Sequence, residues 1–284
     1  LSYEPGAFTA FVPILHGCNN FCTYCIVPYV RGRELSRPVD EILKEIDILS
    51  GYGVREITLL GQNVNSYNSD GNNFASLLKK IADRIKETKS SIGWVRFMSS
   101  QPKDLSDEGI KVISEEEVLC HHIHLPVQHG STKILKQMNR RYTRDDYIAL
   151  IEKIRKAIPD VSLTTDLMMG FPVETEEDVL DTPNLMKTII YENAFMYYYN
   201  VREGTPAATY PNQIPTEVKK ERLQRVIDLQ LQITIEQMEK RVGQTVKVLC
   251  ENISRDSEDE LLGKTQQDER VAFKADKKLI GTFA

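Results

Sequence analysis

Three cysteines, Cys18, Cys22 and Cys25, fall within eight residues in a C-x-x-x-C-x-x-C spacing. Thiolates are soft metal ligands, so this crowding suggests a metal site in a reducing compartment rather than a disulfide framework. Spacing of i, i+4 and i+7 would also align three small apolar residues on a helix face. Gly17, Asn19, Asn20 and Pro28 argue for a loop instead. Two occupants stay open. Structural zinc takes four ligands, usually as two CxxC-like pairs. The sequence has no second pair, so His16 or His129 would have to complete the tetrahedron. Three thiolates around a four-iron cluster leave one iron without a protein ligand, and that position can bind a substrate-like chelator.

Such a loop needs a scaffold. Apolar, β-branched runs alternate with amphipathic helical stretches for about 200 residues, the βαβα signature of a parallel α/β sheet. Strands are expected at 8–15, 56–60, 94–98, 123–127, 162–169 and 195–201, and six strand–helix units predict a barrel, open or closed. In parallel barrels the loops after the strands share one face, where active sites are built. The exits here are His16-Gly17-Cys18, Gly61-Gln62-Asn63, Ser99-Ser100-Gln101-Pro102, Gln128-His129-Gly130-Ser131, Gly170-Phe171-Pro172 and Asn200-Val201-Arg202. All are rich in glycine or polar groups. A long helix is expected over 215–240, with Leu223, Ile227, Leu231, Ile235 and Met238 on its packing face; period-two strands follow, suggesting a small β module. Pro183 lies inside the stripe of Val179, Met186 and Ile190, where a kink or break is expected.

The 284 residues can bury a full core; 36 basic and 41 acidic side chains give a net charge of -5, so only a local basic patch could bind nucleic acid. No apolar run approaches the roughly 18 residues of a membrane span, and no signal peptide is evident. The chain starts at Leu1 without methionine, which suggests a fragment or a processed product.

Cys18-Asn-Asn-Phe-Cys22-Thr-Tyr24-Cys25 resembles the cysteine motif of radical S-adenosylmethionine (SAM) enzymes. The run from Tyr24 through Glu34, Ser36-Arg37-Pro38, residues 58–67, residues 124–131 and residues 170–175 narrow the resemblance to the methylthiotransferase family, in particular its isopentenyl-tRNA branch. The resemblance implies a partial (β/α)6 TIM-like barrel over 1–214, a bridging helix over 215–240 and an incomplete TRAM-like, OB-like β module over 241–284. Cys18, Cys22 and Cys25 would hold a 4Fe-4S cluster whose fourth iron chelates SAM. Tyr24 would lie near the adenine, and Gly61, Gln62, Asn63, Gln128, Gly170 and Arg202 would be further cofactor contacts. Gly61-Gln62 stands where many relatives of the wider superfamily carry a Gly-Glu pair.

By the same resemblance, SAM is cleaved to a 5′-deoxyadenosyl radical that activates C2 of an N6-isopentenyladenosine beside the tRNA anticodon. A sulfur is inserted there and methylated by a second SAM. Unactivated C–H chemistry needs a cofactor radical, since side-chain acids and bases cannot perform it. The implied partners are the anticodon stem-loop of tRNA and an electron donor, with a cytoplasmic monomer working away from membranes. A second 4Fe-4S cluster would sit on an N-terminal domain outside this chain. Sibling acceptors are a threonylcarbamoyladenosine tRNA or a ribosomal-protein aspartate; a zinc-stabilised RNA-binding protein is the reading from another class.

Arg31, Arg33, Arg37, Arg140 and Arg141 are candidates for phosphate contacts, with Arg144 in the second group, against solvated salt bridges as the alternative. Cys120 and Cys250 read as buried small residues, His122 and His124 as barrel-wall histidines, Asp166 as a barrel-interior acid, and Tyr197, Tyr198 and Tyr199 as packing.

Overall fold

The computed structural model describes residues 4–284; Leu1, Ser2 and Tyr3, at the start of the expected barrel, lie outside the described residues. Six parallel strands follow in chain order: Thr9–Pro13, Glu56–Leu60, Trp94–Phe97, His122–His124, Ser162–Met169 and Asn193–Tyr198. The first three form one sheet and the last three another. A parallel bridge between Val95 and Leu119 links them. Among the described residues no pairing joins the first strand to the sixth, so the barrel is open.

Four strands differ from their expected bounds, the third only by ending at Phe97. The first strand ends at Pro13, and Leu15–His16 turns away to pair antiparallel with Leu35–Ser36. The fourth is only His122–His124; Gln128 rejoins the sheet through its N–H to the Asp166 carbonyl, 2.9 Å. The sixth begins at Asn193 and ends at Tyr198.

Strand alternation separates two environments. Val12, Ile57, Leu59, Val95, Phe97, Ile123, Leu163 and Leu167 meet Ile42, Ile46, Leu77, Ile81, Ile151 and Ile154 of the surrounding helices in the main core. Several helices begin on side-chain caps; Thr143 and Thr175 form capping boxes with Asp146 and Asp178, each cap stabilising its helix by about 1 kcal/mol. By register, the other strand face carries Thr58, Arg96, His122, His124, Thr164 and Asp166 into the barrel. The lumen is therefore polar.

The C-terminal strands, Val248–Ile253, Glu260–Thr265 and Arg270–Lys274, form an antiparallel sheet. Its second hairpin closes the barrel base. Arg96 donates to Glu56 at 2.8 Å and to the carbonyls of Thr265 and Gln266 at 2.5 and 2.9 Å; Lys264 also donates to Glu56, at 2.7 Å. Trp94, Cys120 and Leu249 pack beside this network with Phe8 and Phe283.

The helix expected as a bridge, Thr216–Glu239, buries a face that only partly matches its apolar spacing: Leu223 packs half-buried against the core and Ile227 is half-buried. Lys219, Arg222, Val226, Gln230 and Ile233 face inward, while Leu231, Ile235 and Met238 are exposed. The surface it covers presents acceptors that need donors: Lys219 donates to the Tyr199 carbonyl (2.9 Å), Gln230 to the Tyr191 carbonyl (2.9 Å) and Arg222 to Glu174 (3.0 Å). Unpaired buried acceptors are costly, so polar satisfaction selected the face. The break expected at Pro183 does not occur: Glu176–Ile189 runs through it, with Val179, Thr182, Leu185, Met186 and Ile189 buried around it. One missing N–H is offset by this packing. No helix among the described residues is long and apolar enough to cross a membrane.

Candidate functional site

The loop after the first strand is tied into shape by its own backbone. Gly17 takes φ +78°, and a Cβ there would lie 2.1 Å from the Arg33 carbonyl oxygen, so only glycine fits. The Cys18 N–H bonds the Gly32 carbonyl (3.1 Å), and Glu34 accepts from the Asn19 backbone and side chain, both at 3.2 Å. Its far side rests on the segment after the fourth strand: Thr23 N–H meets the Met138 carbonyl (3.1 Å), and the Asn139 amide donates to the Phe21 carbonyl (2.9 Å).

Cys18, Cys22 and Cys25 all line one cleft of about 240 Å³ at the strand exits, with Asn20, Tyr24, Gln62, Ser100, Gln101, His124, Gln128 and Asp166. An adjoining cavity of about 440 Å³ shares Tyr24, Cys25, Gln128 and Asp166 and continues to Tyr197 and Arg202. The Asn20 amide donates to Cys18 Sγ and Arg140 Nη1 to Cys22 Sγ, both at 3.5 Å. Burial raises the pKa of the Cys18 thiol against opposing hydrogen bonds from Asn20. Burial also raises that of Cys25, opposed by the Val27 backbone and the nearby Arg202 charge. Ligation by these two sulfurs therefore releases protons and becomes easier as pH rises.

Among the described residues no three His, Cys, Asp or Glu side chains converge closely enough for a single ion. Three thiols lining one cleft supply the soft donors that an iron–sulfur cluster takes. Across the cleft, Ser100 Oγ and Gln101 Oε1 are buried with no partner among the described residues. Orphaned polar atoms of this kind suit a polar ligand such as SAM. Ser99 and Gln128 hold φ of +70° and +77° on the cleft wall, local strain costing about 1–3 kcal/mol each of the kind concentrated at functional sites.

Several expected contacts lie elsewhere. Gln62 reaches the cleft but its Oε1 accepts from Gly17 N–H (2.6 Å), so it also pins the cysteine loop. Asn63 does not line the cleft: its amide donates to Asp104 (2.7 Å) and accepts from the Gln101 backbone (3.0 Å), bracing the third exit. Gly61 faces Leu15, 2.7 Å from a notional Cβ, and Gly170 faces Lys219, 2.4 Å from one. Both are positions where the chain packs too closely for a side chain. Behind Gly170, the buried Glu174 carboxylate accepts from the Gly170 and Phe171 N–H groups at 2.8 and 3.1 Å and from Arg222, an organising role that sequence reading missed.

The arginines divide likewise. Arg31 and Arg141 are exposed, and Arg33 is exposed while stacking over the Phe21 ring at 4.4 Å. Arg37 is taken up by Glu45 (2.7 Å) and the Pro13 carbonyl (2.6 Å), and Arg140 is buried beneath the cysteine loop. Arg37 keeps 30% of its side chain exposed, and Arg140 lines the cleft beside Cys22. Arg144 pairs with Asp181 at 3.4 Å.

Inside the lumen, His122 Nε2 and His124 Nδ1 both meet Thr164 Oγ1 at 3.0 Å, and His124 Nε2 lies 3.4 Å from Asp166. They are hydrogen-bonded wall residues, as expected. Burial lowers the pKa of His122 from 6.5 to about 4. The folded chain keeps it neutral while the unfolded chain protonates below 6.5, so this stabilisation is complete above 6.5 and is lost as pH falls toward 4. The loss should reach about 2–3 kcal/mol by pH 4.5. Urea unfolding of His122→Gln should therefore vary less between pH 7 and pH 4.5 than that of the wild type; parallel pH profiles would contradict this.

The sequence model of the Radical SAM superfamily matches residues 12–186, more than half of the chain. A Treponema denticola protein named tRNA-2-methylthio-N(6)-dimethylallyladenosine synthase is 55% identical over 291 aligned positions, covering 100% of this chain and 64% of that protein. An Acetivibrio thermocellus protein of the same name is 49% identical, covering 96% of this chain and 56% of that protein. The chain thus spans less than two thirds of these relatives' length. Among solved structures, coproporphyrinogen III oxidase from Escherichia coli superposes with a TM-score of 0.58 at 14% identity, over 93% of this chain and 67% of that one. A radical S-adenosylmethionine methyltransferase from Kitasatospora setae gives 0.59 at 16% identity, over 70% and 38%. These two share the fold. With the superfamily match running from the first barrel strand past the fifth and taking in the three cysteines at the barrel mouth, the chain belongs to the radical SAM superfamily.

Proposed function

We propose that this chain is the radical-generating part of a tRNA methylthiotransferase acting at C2 of N6-isopentenyladenosine beside the anticodon. The observation that carries the reading is the convergence of Cys18, Cys22 and Cys25 on one cleft, in a chain alignable end to end with proteins named for that reaction. Superfamily membership implies a 4Fe-4S cluster and SAM. When bound, the cluster supplies the electron that cleaves SAM to methionine and a 5′-deoxyadenosyl radical.

The chain's own residues then have separable tasks. Cys18, Cys22 and Cys25 would hold three irons, and Gln62, Asn139 and Glu34 keep their loop in shape. Ser100, Gln101 and Gln128 would bind polar groups of SAM, with Tyr24 against its adenine. The wider cavity with Asp166, Tyr197 and Arg202 is left for the acceptor base; a loop nucleotide can be splayed into such a pocket and stacked on aromatic rings. Arg31, Arg33 and Arg141 are the exposed cations suited to the tRNA backbone. The division into barrel, bridging helix and partial TRAM-like module belongs to this reading, as do an external electron donor, a monomeric state and cytoplasmic work. The second cluster and sulfur delivery would belong to the part of a full-length protein outside this chain.

Anaerobic loading with iron and sulfide, followed by reductant and SAM, should yield 5′-deoxyadenosine; a fully loaded protein yielding none would overturn the radical reading. Mass spectrometry of tRNA from a strain lacking the full-length gene should show the isopentenyl nucleoside without its methylthio group. An unchanged nucleoside would refute the acceptor.

A further inference from the structure

Arg140 is a buried guanidinium, 8% exposed, with no carboxylate within ion-pair distance among the described residues. Its partners are neutral oxygens and one sulfur. Nη2 donates to the Pro126 carbonyl at 2.5 Å, Nε to the Tyr142 hydroxyl at 2.8 Å, and Nη1 to Cys22 Sγ at 3.5 Å. Tyr142 is itself held by the Val127 carbonyl at 3.0 Å, and the guanidinium carbon lies 5.4 Å from the Tyr142 ring centroid.

A cation taken out of water needs an anion or it destabilises the fold. Here the geometry aims the charge at one cysteine of the cleft, and the acceptors that fix its other two edges are uncharged. A cluster held by three thiolates is a net anion and gains one more negative charge on reduction. Hydrogen bonds to the sulfurs and local charge are the protein's means of setting its potential. We propose that Arg140 is the built-in counter-charge of the cluster: a positioning residue that donates to Cys22 Sγ, raises the cluster's reduction potential and slows its loss. The proposal rests on Cys18, Cys22 and Cys25 being the cluster ligands. It removes Arg140 from the RNA-binding surface, where sequence spacing alone would place it.

The test compares wild type, Arg140→Gln and Arg140→Lys after anaerobic loading, by redox titration followed by electron paramagnetic resonance without SAM or RNA. At the potential where half of the wild-type clusters are reduced, Arg140→Gln should show at least a tenfold lower reduced-to-oxidised ratio, a shift of about 59 mV to more negative values for one electron. Arg140→Lys, which keeps a charge and donors, should recover more than half of that shift. Iron extraction by a chelator should be several-fold faster from Arg140→Gln. An unchanged potential in Arg140→Gln, or an Arg140→Lys variant displaced as far as Arg140→Gln, would overturn the proposal. If Arg140→Gln does not fold, Tyr142→Phe serves: it keeps the charge but frees Nε, and should shift the potential in the same direction by a smaller ratio, with no shift counting against the proposal. A wild-type protein that takes up no iron would instead indict the cysteine assignment, and the two failures are thereby distinguished.

Discussion

Cys22→Ala is expected to leave the chain folded but unable to hold iron, and to reduce 5′-deoxyadenosine formation from SAM to background. Cys22 is the most buried of the three cleft cysteines, its carbonyl accepts the Cys25 N–H at 2.9 Å, and its sulfur faces Arg140. Two remaining thiols cannot anchor a cubane that already lacks one protein ligand. Losing one small buried sulfur should change the stability of the metal-free fold by only about 1 kcal/mol. Cys120→Ala and Cys250→Ala are the controls. Cys120 lies at the barrel base beside Trp94 and Leu249, and Cys250 sits in the C-terminal sheet core, so both variants should load iron like the wild type. Burial pushes the Cys120 thiol up to about 12, which leaves it protonated and a poor ligand at neutral pH. Iron content and visible absorbance after anaerobic loading provide the measurement. A full iron complement in Cys22→Ala, or its loss in Cys120→Ala, would contradict the assignment.

The second large effect is at the other end of the barrel. Glu56 is 2% exposed and carries two cations at once, Arg96 at 2.8 Å and Lys264 at 2.7 Å. Glu56→Gln keeps the shape but leaves the buried Arg96 and the partly buried Lys264 facing each other, with Glu251 at 3.5 Å from Lys264 and Asp268 at 3.7 and 3.8 Å from the two cations as the remaining partners. Removing one member of a buried ion pair costs about 3–5 kcal/mol. At roughly 2–4 °C per kcal/mol for a chain of this size, the melting midpoint should fall by about 10 °C. Because Lys264 belongs to the C-terminal sheet and Glu56 to the second barrel strand, a double-mutant cycle with Lys264→Met should show coupling between the two parts. A loss below about 1 kcal/mol, or additive single effects, would mean that the contact between the C-terminal hairpin and the barrel base is not a structural joint.

Strand positions were largely legible because each barrel strand buries one face against helices, and that burial imposes an apolar run whatever the lumen holds. Glu56–Leu60 and Ser162–Met169 agree with the expected bounds for this reason. The helix expected as a bridge was partly misread because its buried side answers acceptors on distant segments, Tyr199, Tyr191 and Glu174, and apolar spacing carries no record of them. Of the kink or break expected at Pro183 the break is absent, because packing on both sides outweighed the local rule. Among polar residues, position in a strand exit was a fair guide for Gln62 and Gln128 but not for Asn63, whose amide turns back to brace Asp104 and Gln101.

By itself the sequence determined the class of chemistry and the kind of scaffold. Three thiols in a glycine-bearing loop are a local feature, and so is the alternation of strand and helix patterns. Only the tertiary structure decided which side chains face which. Arg140 and Arg141 are adjacent in the chain, yet one is buried against a ligand sulfur and the other is exposed to solvent. Glu56, Arg96 and Lys264 are brought together across separations of 40 and 208 residues. Charge, burial and hydrogen-bond satisfaction depend on neighbours in space, and a one-dimensional pattern reports those neighbours only when they are also neighbours in the chain.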